Sequence, residues 1–272
     1  MSIQDGDSVF SGSVAEIYHE YLTPLLFEFY SHELAKVVGE EAAGSALELA
    51  AGTGNVTRAM VDLLGNKVSI TATDLNQPMM DFAQMVRSDP NVRWEQADAT
   101  ALPFDDGVFD VVVCQFSVMF FPDKVKAYSE ALRVLRPGGR FVFSVWDSLE
   151  ENVFPQTVER TLGVLFPDDP PLFMSRTPFG YFDIDAIAAD VRAGGFSGEL
   201  KTETVSAMSK AKDARAAAIA FCHGTPVLAA IESRDSSRVD HAVELVREAF
   251  CEQFGEGEIE GKMRAHVFSV RA

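Results

Sequence analysis

The sequence predicts a doubly wound α/β fold built around a parallel sheet. Short apolar or β-branched segments alternate with amphipathic segments through the middle of the chain. Their spacing fits strand–helix–strand units with right-handed crossovers, which place parallel strands side by side and helices on both faces. A glycine-bearing turn, residues 52–54, follows the first of the predicted strands. Such turns are typical of the ligand-binding edge of this fold class.

The elements follow in a regular order. A helix over residues 12–38 is predicted because apolar residues recur there at three- and four-residue steps. Strands are predicted at Ser45–Ala50, Lys67–Asp74, Val92–Ala97, Val108–Cys114 and Arg140–Val145. Helices between them are predicted at Asn55–Leu64, Gln77–Arg87 and Lys124–Leu135, the last of them closed by Pro137-Gly138-Gly139.

The carboxy-terminal half is less regular. The segment Glu150–Tyr181 holds five prolines and predicts an irregular excursion. Further helices are predicted at Asp183–Ala193, Asp213–His223 and Asp235–Phe254, and further strands at Glu199–Ala207 and Arg264–Val270. Because no repeat or linker divides the chain, we predict one domain over 1–272, with a core at 40–150 and helical lid insertions at 150–182 and 208–260.

Composition excludes several classes of function. The 272 residues include 23 basic and 41 acidic side chains, a net charge of −18, which disfavours nucleic acid as a partner. No uncharged apolar run reaches 18 residues, and residues 1–10 lack a secretory pattern. We therefore expect a cytoplasmic protein without a membrane span. The scattered cysteines and histidines predict neither a disulfide framework nor a metal site.

The first strand leads into Glu48-Leu49-Ala50-Ala51-Gly52-Thr53-Gly54. Two glycines at a strand-to-helix turn let a ligand approach the backbone, although such a pair is weak evidence alone. Asp74 follows Gly52 by 22 residues, the offset of a carboxylate that binds ribose hydroxyls. Asp98 ends the third predicted strand, where it can meet an adenine edge. The alternative is that these acids are helix caps or turn residues.

The turn favours a ligand without phosphate. A dinucleotide site normally has a third glycine, but Thr57 stands at that position. Glu48 would repel a pyrophosphate and suits an ammonium group. A ligand with adenine, ribose and an amino-acid part fits these residues, and S-adenosylmethionine is such a ligand.

These motifs resemble the class I S-adenosylmethionine-dependent methyltransferases, in particular the small-molecule enzymes similar to those of ubiquinone and menaquinone biosynthesis. The resemblance spans about 40–150, carried by the first-strand turn together with Thr73-Asp74-Leu75-Asn76, Gln96–Phe104 and Leu135-Arg136-Pro137-Gly138-Gly139. It implies a Rossmann-like, seven-stranded, mostly parallel sheet whose last strand is antiparallel. It also implies methyl transfer to an oxygen, nitrogen or carbon of a small, partly hydrophobic molecule. Ala50 stands where the family often has glycine, and alanine is tolerated there if its φ is negative.

The resemblance also implies roles for individual residues. The methionine part would be held by Glu48, Ala50, Gly52 and Gly54, and the ribose by Asp74. The adenine would lie between Leu75 and Met79, with Asp98 and Ala99 at its polar edge. The methyl-transfer point, just past the fourth strand, would be lined by Cys114, Gln115 and Phe116.

The candidates on the acceptor side lie outside these motifs. The amino-terminal helix carries Tyr18 and Tyr21, and Tyr21 is expected to contact the cofactor. Trp146 and Asp147 end the fifth strand. His223 is a candidate general base because it lies in a turn-like segment of the expected lid, with a loop or capping role as the alternative. Gln115 and His223 are thus the candidate catalytic residues.

Two other functions stay open at this point. The chain can be a cofactor-binding or regulatory protein that methylates nothing, because methyl transfer needs no dedicated base whose loss would mark it. A nicotinamide-dependent oxidoreductase shares the fold, although Thr57 and Glu48 argue against it. Periodicity does not separate a homodimer from a monomer.

Overall fold

The computed structural model describes residues 13–41 and 44–272. Its strands are β1 (Gly44–Leu49), β2 (Val68–Asp74), β3 (Val92–Gln96), β4 (Phe109–Gln115), β5 (Leu135–Trp146), β6 (Lys201–Ala211) and β7 (Ile259–Arg271). Its first α-helices are α1 (Ser13–Ile17), α2 (Glu28–Gly39), α3 (Asn55–Leu64), α4 (Gln77–Val86), α5 (Lys124–Val134) and α6 (Val153–Leu165). The later ones are α7 (Phe173–Arg176), α8 (Ile184–Ala193), α9 (Ala214–Gly224), α10 (Val227–Asp235) and α11 (Val239–Phe254).

All seven strands form one sheet in the order β3-β2-β1-β4-β5-β7-β6. The pairs β1–β2, β2–β3, β1–β4 and β4–β5 are parallel, and β5 pairs with β7 antiparallel. The predicted doubly wound, mostly parallel sheet with an antiparallel last strand is confirmed. The strand order reverses between β1 and β4, which is where ligands bind in open sheets of this kind.

The chain divides into two compact units. The sheet unit comprises Tyr30–Trp146, Tyr181–Val205 and Ala265–Ala272. The helical unit comprises Met1–Phe29, Asp147–Gly180 and Ser206–Arg264. The predicted insertions at 150–182 and 208–260 fall largely in the helical unit. Their role as a lid and the single domain stay predictions.

The sheet unit is built on strands that are buried along their middle. In β1 the last four residues are buried, and β4 carries Val111, Val112, Val113 and Cys114 in a continuous buried run. Such runs are typical of parallel strands covered by helices on both faces, because neither face meets water. The apolar face of α3, which includes Met60 and Leu64, packs into the same core.

The helical unit has its own aromatic core. The ring of Phe154 on α6 lies 5.2 Å from that of Phe250 and 5.1 Å from that of Phe254, both on α11. Next to these rings, a Cβ at Gly261 would lie 2.6 Å from Phe154 Cε1. The Thr157 hydroxyl also donates to Gln253 Oε1 over 2.8 Å. Apolar packing therefore fixes the pairing of α6 with α11.

The amino-terminal helix is not a regular α-helix. Residues 18–27 form a π-helix between α1 and α2, with Pro24 inside it. Proline has no N–H to donate to the preceding turn, so the regular hydrogen-bond ladder is broken at that point. The helix predicted at 12–38 is thus present in its described part as a helical stretch of three pieces.

One carboxy-terminal prediction was wrong, and one helix was missed. The segment predicted as irregular contains α6, whose Phe154, Val158, Leu162 and Leu165 are buried at helical spacing. Pro155 sits in the first turn of α6, where its missing N–H costs no intrahelical bond. Helix α10 lies in a stretch for which no element was predicted, although five of its nine residues are apolar.

The Pro-Gly-Gly tripeptide after α5 lies inside β5 instead of in a separate loop. A side chain at Gly139 would place its Cβ 2.9 Å from the Arg136 carbonyl oxygen and 3.0 Å from that of Asp110. The pairing of β4 with β5 shifts register between Phe109 and Val111. The glycine therefore permits the close backbone approach that continues the strand.

Among the described residues no single helix is long and apolar enough to cross a membrane. Ala214–Gly224 and Val227–Phe254 reach the length and apolar composition of a membrane span only when taken together, and they are bent by 74° relative to each other. Within the same residues no group of three or more His, Cys, Asp or Glu side chains is placed to hold a metal ion.

Candidate functional site

The turn from β1 into α3 has an unusual backbone. Gly52 has φ 56° and Gly54 has φ 80°. Ala50 also has a positive φ, 51°, so the condition of a negative φ for an alanine at this position is not met. Among the described residues outside glycine, Ala50 shares this property with Phe116 alone. A left-handed alanine costs about 1 kcal/mol and is retained where the surroundings dictate it.

Glycine is required at position 54 because its φ is positive and because a side chain there would crowd its neighbours. A Cβ there would lie 3.0 Å from Trp94 Cη2 and 3.3 Å from Ala83 Cβ. The Gly54 N–H donates to the Ala51 carbonyl, which tightens the turn. The first backbone N–H groups of α3 follow directly, and these groups have no partner within their own helix.

Asp74, the last residue of β2, is tied to this turn. Its Oδ2 accepts from the Gly52 N–H over 2.8 Å, and its Oδ1 accepts from the Asn76 N–H over 2.8 Å. Burial raises the pKa of the Asp74 carboxyl, against the opposing effect of these hydrogen bonds. Since each carboxylate oxygen can accept two hydrogen bonds, Asp74 keeps capacity for ligand hydroxyls.

Glu48 lies one residue before the end of β1, between Ala72 of β2 and Val113 of β4. Its side chain is buried, and its Oε2 accepts from the Thr57 hydroxyl on α3 over 2.5 Å. Burial raises the pKa of the Glu48 carboxyl to about 8. A buried acid at the strand-order reversal, with one short hydrogen bond from a side chain, can receive a cationic group.

The two residues predicted to flank an adenine differ in exposure. Leu75 is 58% exposed, whereas Met79 at the start of α4 is buried. Met79 Cε lies 3.8 Å from the position that a Cβ on Gly52 would occupy. Met79 is thus beside the glycine turn, and Leu75 offers an apolar surface open to solvent.

Asp98 does not end the third strand, which stops at Gln96. Its Oδ1 accepts from both the N–H and the hydroxyl of Thr100, each over 2.7 Å. It therefore holds a turn, which includes Ala99. The Ala97 N–H donates to the Asp74 carbonyl over 3.1 Å, which keeps this segment beside the end of β2. The role of Asp98 and Ala99 at an adenine stays a prediction.

Cys114 and Gln115 lie within β4 and not just past it. Cys114 is fully buried, and burial raises the pKa of its thiol, so it is a neutral apolar group. Gln115 is half-buried, and its Oε1 accepts from the Ser31 hydroxyl of α2 over 2.9 Å. This hydrogen bond fixes the orientation of the Gln115 amide.

An aromatic cluster that the sequence did not predict surrounds the end of β4. The rings of Phe116 and Trp146 are stacked, with centroids 3.8 Å apart. The ring of Tyr30 stands edge-on to both, at 5.3 and 5.4 Å. The cluster supports the left-handed backbone of Phe116, which has φ 48°. Tyr30 and Trp146 are 116 positions apart, so no local pattern could reveal the contact.

Other predicted residues belong to the helical unit. The Tyr18 ring stacks on Phe27 at 5.1 Å, and the Lys212 ammonium lies 5.8 Å from the Tyr21 ring centroid. His223 is half-buried in the last turn of α9. Asp147 is buried and forms an ion pair with Arg264. The proposed tasks of Tyr21 and His223 stay predictions.

The sequence did not reveal two side-chain partners of predicted site residues: Thr57, which contacts Glu48, and Ser31, which contacts Gln115. The sequence indicated Thr57 only as a departure from the third glycine of a dinucleotide site. Its position three residues after Gly54 places it in the first turn of α3, where it reaches back to β1. That spacing is a signal that could have shown the contact. The contact of Ser31 with Gln115 joins residues 84 positions apart and gives no such signal.

The fold and this turn define a Rossmann-like domain in which a glycine turn and two buried acids, Glu48 and Asp74, lie at the reversal of strand order. Residues 47–143 match the family model described as "Methyltransferase domain". The match includes Glu48, the glycine turn, Asp74 and Gln115. The resemblance predicted from the motifs is confirmed for these residues.

Named relatives agree with this family. A ubiquinone/menaquinone biosynthesis C-methyltransferase, UbiE, from Photorhabdus laumondii is 32% identical over 146 residues, which cover 48% of this chain and 58% of that protein. The chain thus spans little more than half the length of this relative.

Solved structures share the fold. Phosphoethanolamine N-methyltransferase 2 from Haemonchus contortus, in complex with phosphomonomethylethanolamine and S-adenosylhomocysteine, has a TM-score of 0.62 at 16% identity. That similarity covers all of this chain and 60% of the other. The [4+2]-cyclase SpnF has a TM-score of 0.58 at 19% identity, over 90% of this chain and 81% of its own.

Proposed function

We propose that this chain binds S-adenosylmethionine at the β1–α3 turn and transfers its methyl group to an oxygen, nitrogen or carbon of a small, partly hydrophobic molecule. The observation that carries the proposal is the pair of buried carboxyl groups, Glu48 and Asp74, on either side of one glycine turn. Two carboxyl groups at that place suit ribose hydroxyls and an ammonium group, because a nearby positive charge favours the ionised form of a carboxyl group. The match of residues 47–143 to a methyltransferase domain supports it.

The residues present fit such a cofactor. The Thr53 hydroxyl at the turn is buried and has no hydrogen-bond partner among residues 13–41 and 44–272, and buried hydroxyl groups are normally paired. Ala50, Gly52 and Gly54 would let the methionine part approach the backbone. Asp74 would accept from the ribose hydroxyls, with Leu75 and Met79 flanking the adenine.

When bound, S-adenosylmethionine supplies a methyl group on a positively charged sulfur, which a nucleophile can displace in line. The protein's task is then to align and to exclude water. Cys114 supplies a buried, uncharged wall, and Gln115, oriented by Ser31, would lie at the transfer point. His223 would act as general base where the acceptor has to lose a proton.

The nature of the acceptor follows from charge and from the relatives. A net charge of −18 disfavours nucleic acid and other polyanions as acceptors. The relative named for ubiquinone and menaquinone biosynthesis supports a small acceptor with apolar character. We propose a cytoplasmic enzyme, with a homodimer left open.

The test is calorimetric titration with S-adenosylhomocysteine and, separately, NAD. Micromolar binding of the first and none of the second is expected. Asp74→Ala should weaken S-adenosylhomocysteine binding by about 1–3 kcal/mol, because a charge-assisted hydrogen bond to the ribose is lost. Asp62→Ala is the matched control, since Asp62 is an exposed acid on α3 that pairs with Arg87. Equal affinity of the Asp74 variant and the wild type would contradict the placement of the ribose.

A second candidate function is cofactor binding without methyl transfer. The fold similarity to a [4+2]-cyclase shows that this architecture also occurs in a protein named for another reaction. A screen of apolar small molecules with radiolabelled S-adenosylmethionine separates the two functions. Transfer of label to an acceptor supports the enzyme, and binding with no transfer across the screen supports the alternative.

A further inference from the structure

The contact between Glu48 and Thr57 joins the end of β1, which precedes the glycine turn, to α3, which follows it. Both side chains are buried, at 2% and 3% exposure, and the hydroxyl donates to Glu48 Oε2 over 2.5 Å. The backbone of Glu48 is also held, since the Thr73 hydroxyl donates to its carbonyl over 2.8 Å. The position of the Glu48 carboxyl is therefore fixed by neighbours on two elements.

The charged and titratable groups around Glu48 come from three elements. Asp74 on β2 disfavours a negative charge at Glu48, and Arg58 on α3 favours one. Cys114 on β4 is a buried thiol that remains neutral. Burial is the largest effect and raises the pKa of Glu48 to about 8. Without a bound cation, Glu48 is thus mostly a neutral carboxylic acid at pH 7.

We propose that Thr57 is a positioning residue, which holds Glu48 to receive the ammonium group of the cofactor, and that Glu48 releases its proton to solvent when that ammonium binds. This inference rests on the proposed function. The step balances: a neutral carboxylic acid and an ammonium ion become a carboxylate–ammonium pair and one proton in bulk water. A nearby positive charge favours the ionised form of a carboxyl group, which drives the release.

The direction of the pH effect follows from this step. Below pH 8 the free protein carries the proton and the complex does not, so binding tightens as the pH rises. At pH 7 about 0.9 proton should be released per cofactor bound, which is the protonated fraction of an acid with this pKa. Between pH 6 and pH 7 the affinity should rise about tenfold. The rise should stop near pH 8.

The experiment is titration calorimetry with S-adenosylhomocysteine in buffers of different ionisation enthalpy, which counts released protons. Methylthioadenosine, which has the adenosine and sulfur but no amino-acid part, is the control ligand. Proton release with S-adenosylhomocysteine and none with methylthioadenosine is expected. Glu48→Gln should abolish the release.

Variants at Thr57 test the positioning role. Thr57→Val keeps the shape of the side chain and removes the hydroxyl, and Thr57→Ser keeps the hydroxyl. The valine variant should bind S-adenosylhomocysteine about tenfold more weakly, because one hydrogen bond to a charged group is lost. Its affinity for methylthioadenosine should be unchanged. The serine variant should restore the wild-type difference between the two ligands. A merely structural role of Thr57 would weaken both ligands equally.

A measurement without ligand tests the protonation of Glu48 directly. Infrared difference spectra between pH 6 and pH 9 should show the carbonyl band of a buried carboxylic acid, and Glu48→Gln should lack it. Binding of S-adenosylhomocysteine without proton release would overturn this inference and leave the proposed function standing. The absence of any S-adenosylhomocysteine binding would overturn both.

Discussion

The sheet unit and the helical unit each bury a carboxyl group next to the end of a strand. The two groups differ in their hydrogen-bond and ion-pair partners. In the helical unit, Asp147 forms an ion pair with Arg264, and its Oδ1 accepts from the Ser148 N–H over 2.6 Å. In the sheet unit, Glu48 has the Thr57 hydroxyl as its short partner and is raised in pKa. Asp147 is held in an ion pair that serves the fold, whereas burial favours the neutral form of Glu48, so that its ionisation costs stability.

The difference shows how structural and functional acids can be told apart. Asn152 completes the network around Asp147, since its side chain donates to the Asp147 carbonyl and accepts from the Arg264 N–H. A buried acid with a full set of internal partners has no need of a ligand. A buried acid whose charge has no cation in contact is a candidate for binding, because its pKa can be restored by a ligand.

One large expected effect is on the structural acid. Asp147→Ala should destabilise the protein by about 2 kcal/mol, because the Ser148 N–H and the Arg264 guanidinium lose their charged acceptor, although Arg264 keeps its ion pair with Glu151. Denaturant unfolding measures this loss. The matched control is Lys210→Met, which removes an exposed ion pair with Glu260 in the same unit and should cost much less stability, because solvent screens an exposed pair. Similar losses in both variants would remove the contrast between buried and exposed pairs.

Replacement of the functional acid, Glu48, should have the opposite effect on stability at high pH. The folded-state pKa of Glu48, about 8, is above its ordinary value of 4.5, so the folded protein binds the extra proton between these pH values. The contribution of Glu48 to stability is thus full below pH 4.5 and is lost as the pH rises to 8, by about 1.4 kcal/mol per pH unit. Glu48→Gln should remove this slope and be the more stable protein at pH 8, in unfolding measured from pH 5 to 8.

Glu130 provides the control for that series. It lies in the same sheet unit, and hydrogen bonds from Arg133 lower the pKa of its carboxyl to about 2. Its contribution to stability is present above pH 4.5 and falls as the pH drops towards 2, so Glu130→Gln should destabilise at neutral pH. If both glutamine variants shifted stability in the same direction, the distinction between the two kinds of acid would fail.

The smallest effect concerns the strained turn itself. Ala50→Gly should stabilise the free protein by about 0.5 kcal/mol, since relief of the left-handed alanine slightly exceeds the entropy cost of glycine. Phe116→Gly relieves the same kind of backbone but loses the stack on Trp146, so it should destabilise. Thermal unfolding compares the two. A lower melting temperature for Ala50→Gly would show that the alanine side chain contributes more by packing than its backbone costs.

Much of the sheet unit could be predicted because its signals are local. The alternation of β1, α3 and β2, the glycine turn and the 22-residue offset to Asp74 are all short-range patterns, and the hydrogen bond from Gly52 to Asp74 agrees with them. The helical unit was predicted less well. Its α6 lies in a proline-rich segment. The only local signal of the buried face of α6 is the four-residue spacing of Phe154, Val158 and Leu162.

The sequence by itself determined the class of fold, the alternation of strands and helices and the identity of the residues at the turn, because each follows from periodicity or from a motif within about 25 residues. Only the tertiary structure decided the φ of Ala50, the pairing of Glu48 with Thr57, the orientation of Gln115 by Ser31 and the stack of Phe116 on Trp146. These depend on how separate elements meet and on how far water is excluded between them. The pKa of a carboxyl group depends on its burial and on its contacts with residues distant in the chain, and neither can be predicted from the local sequence.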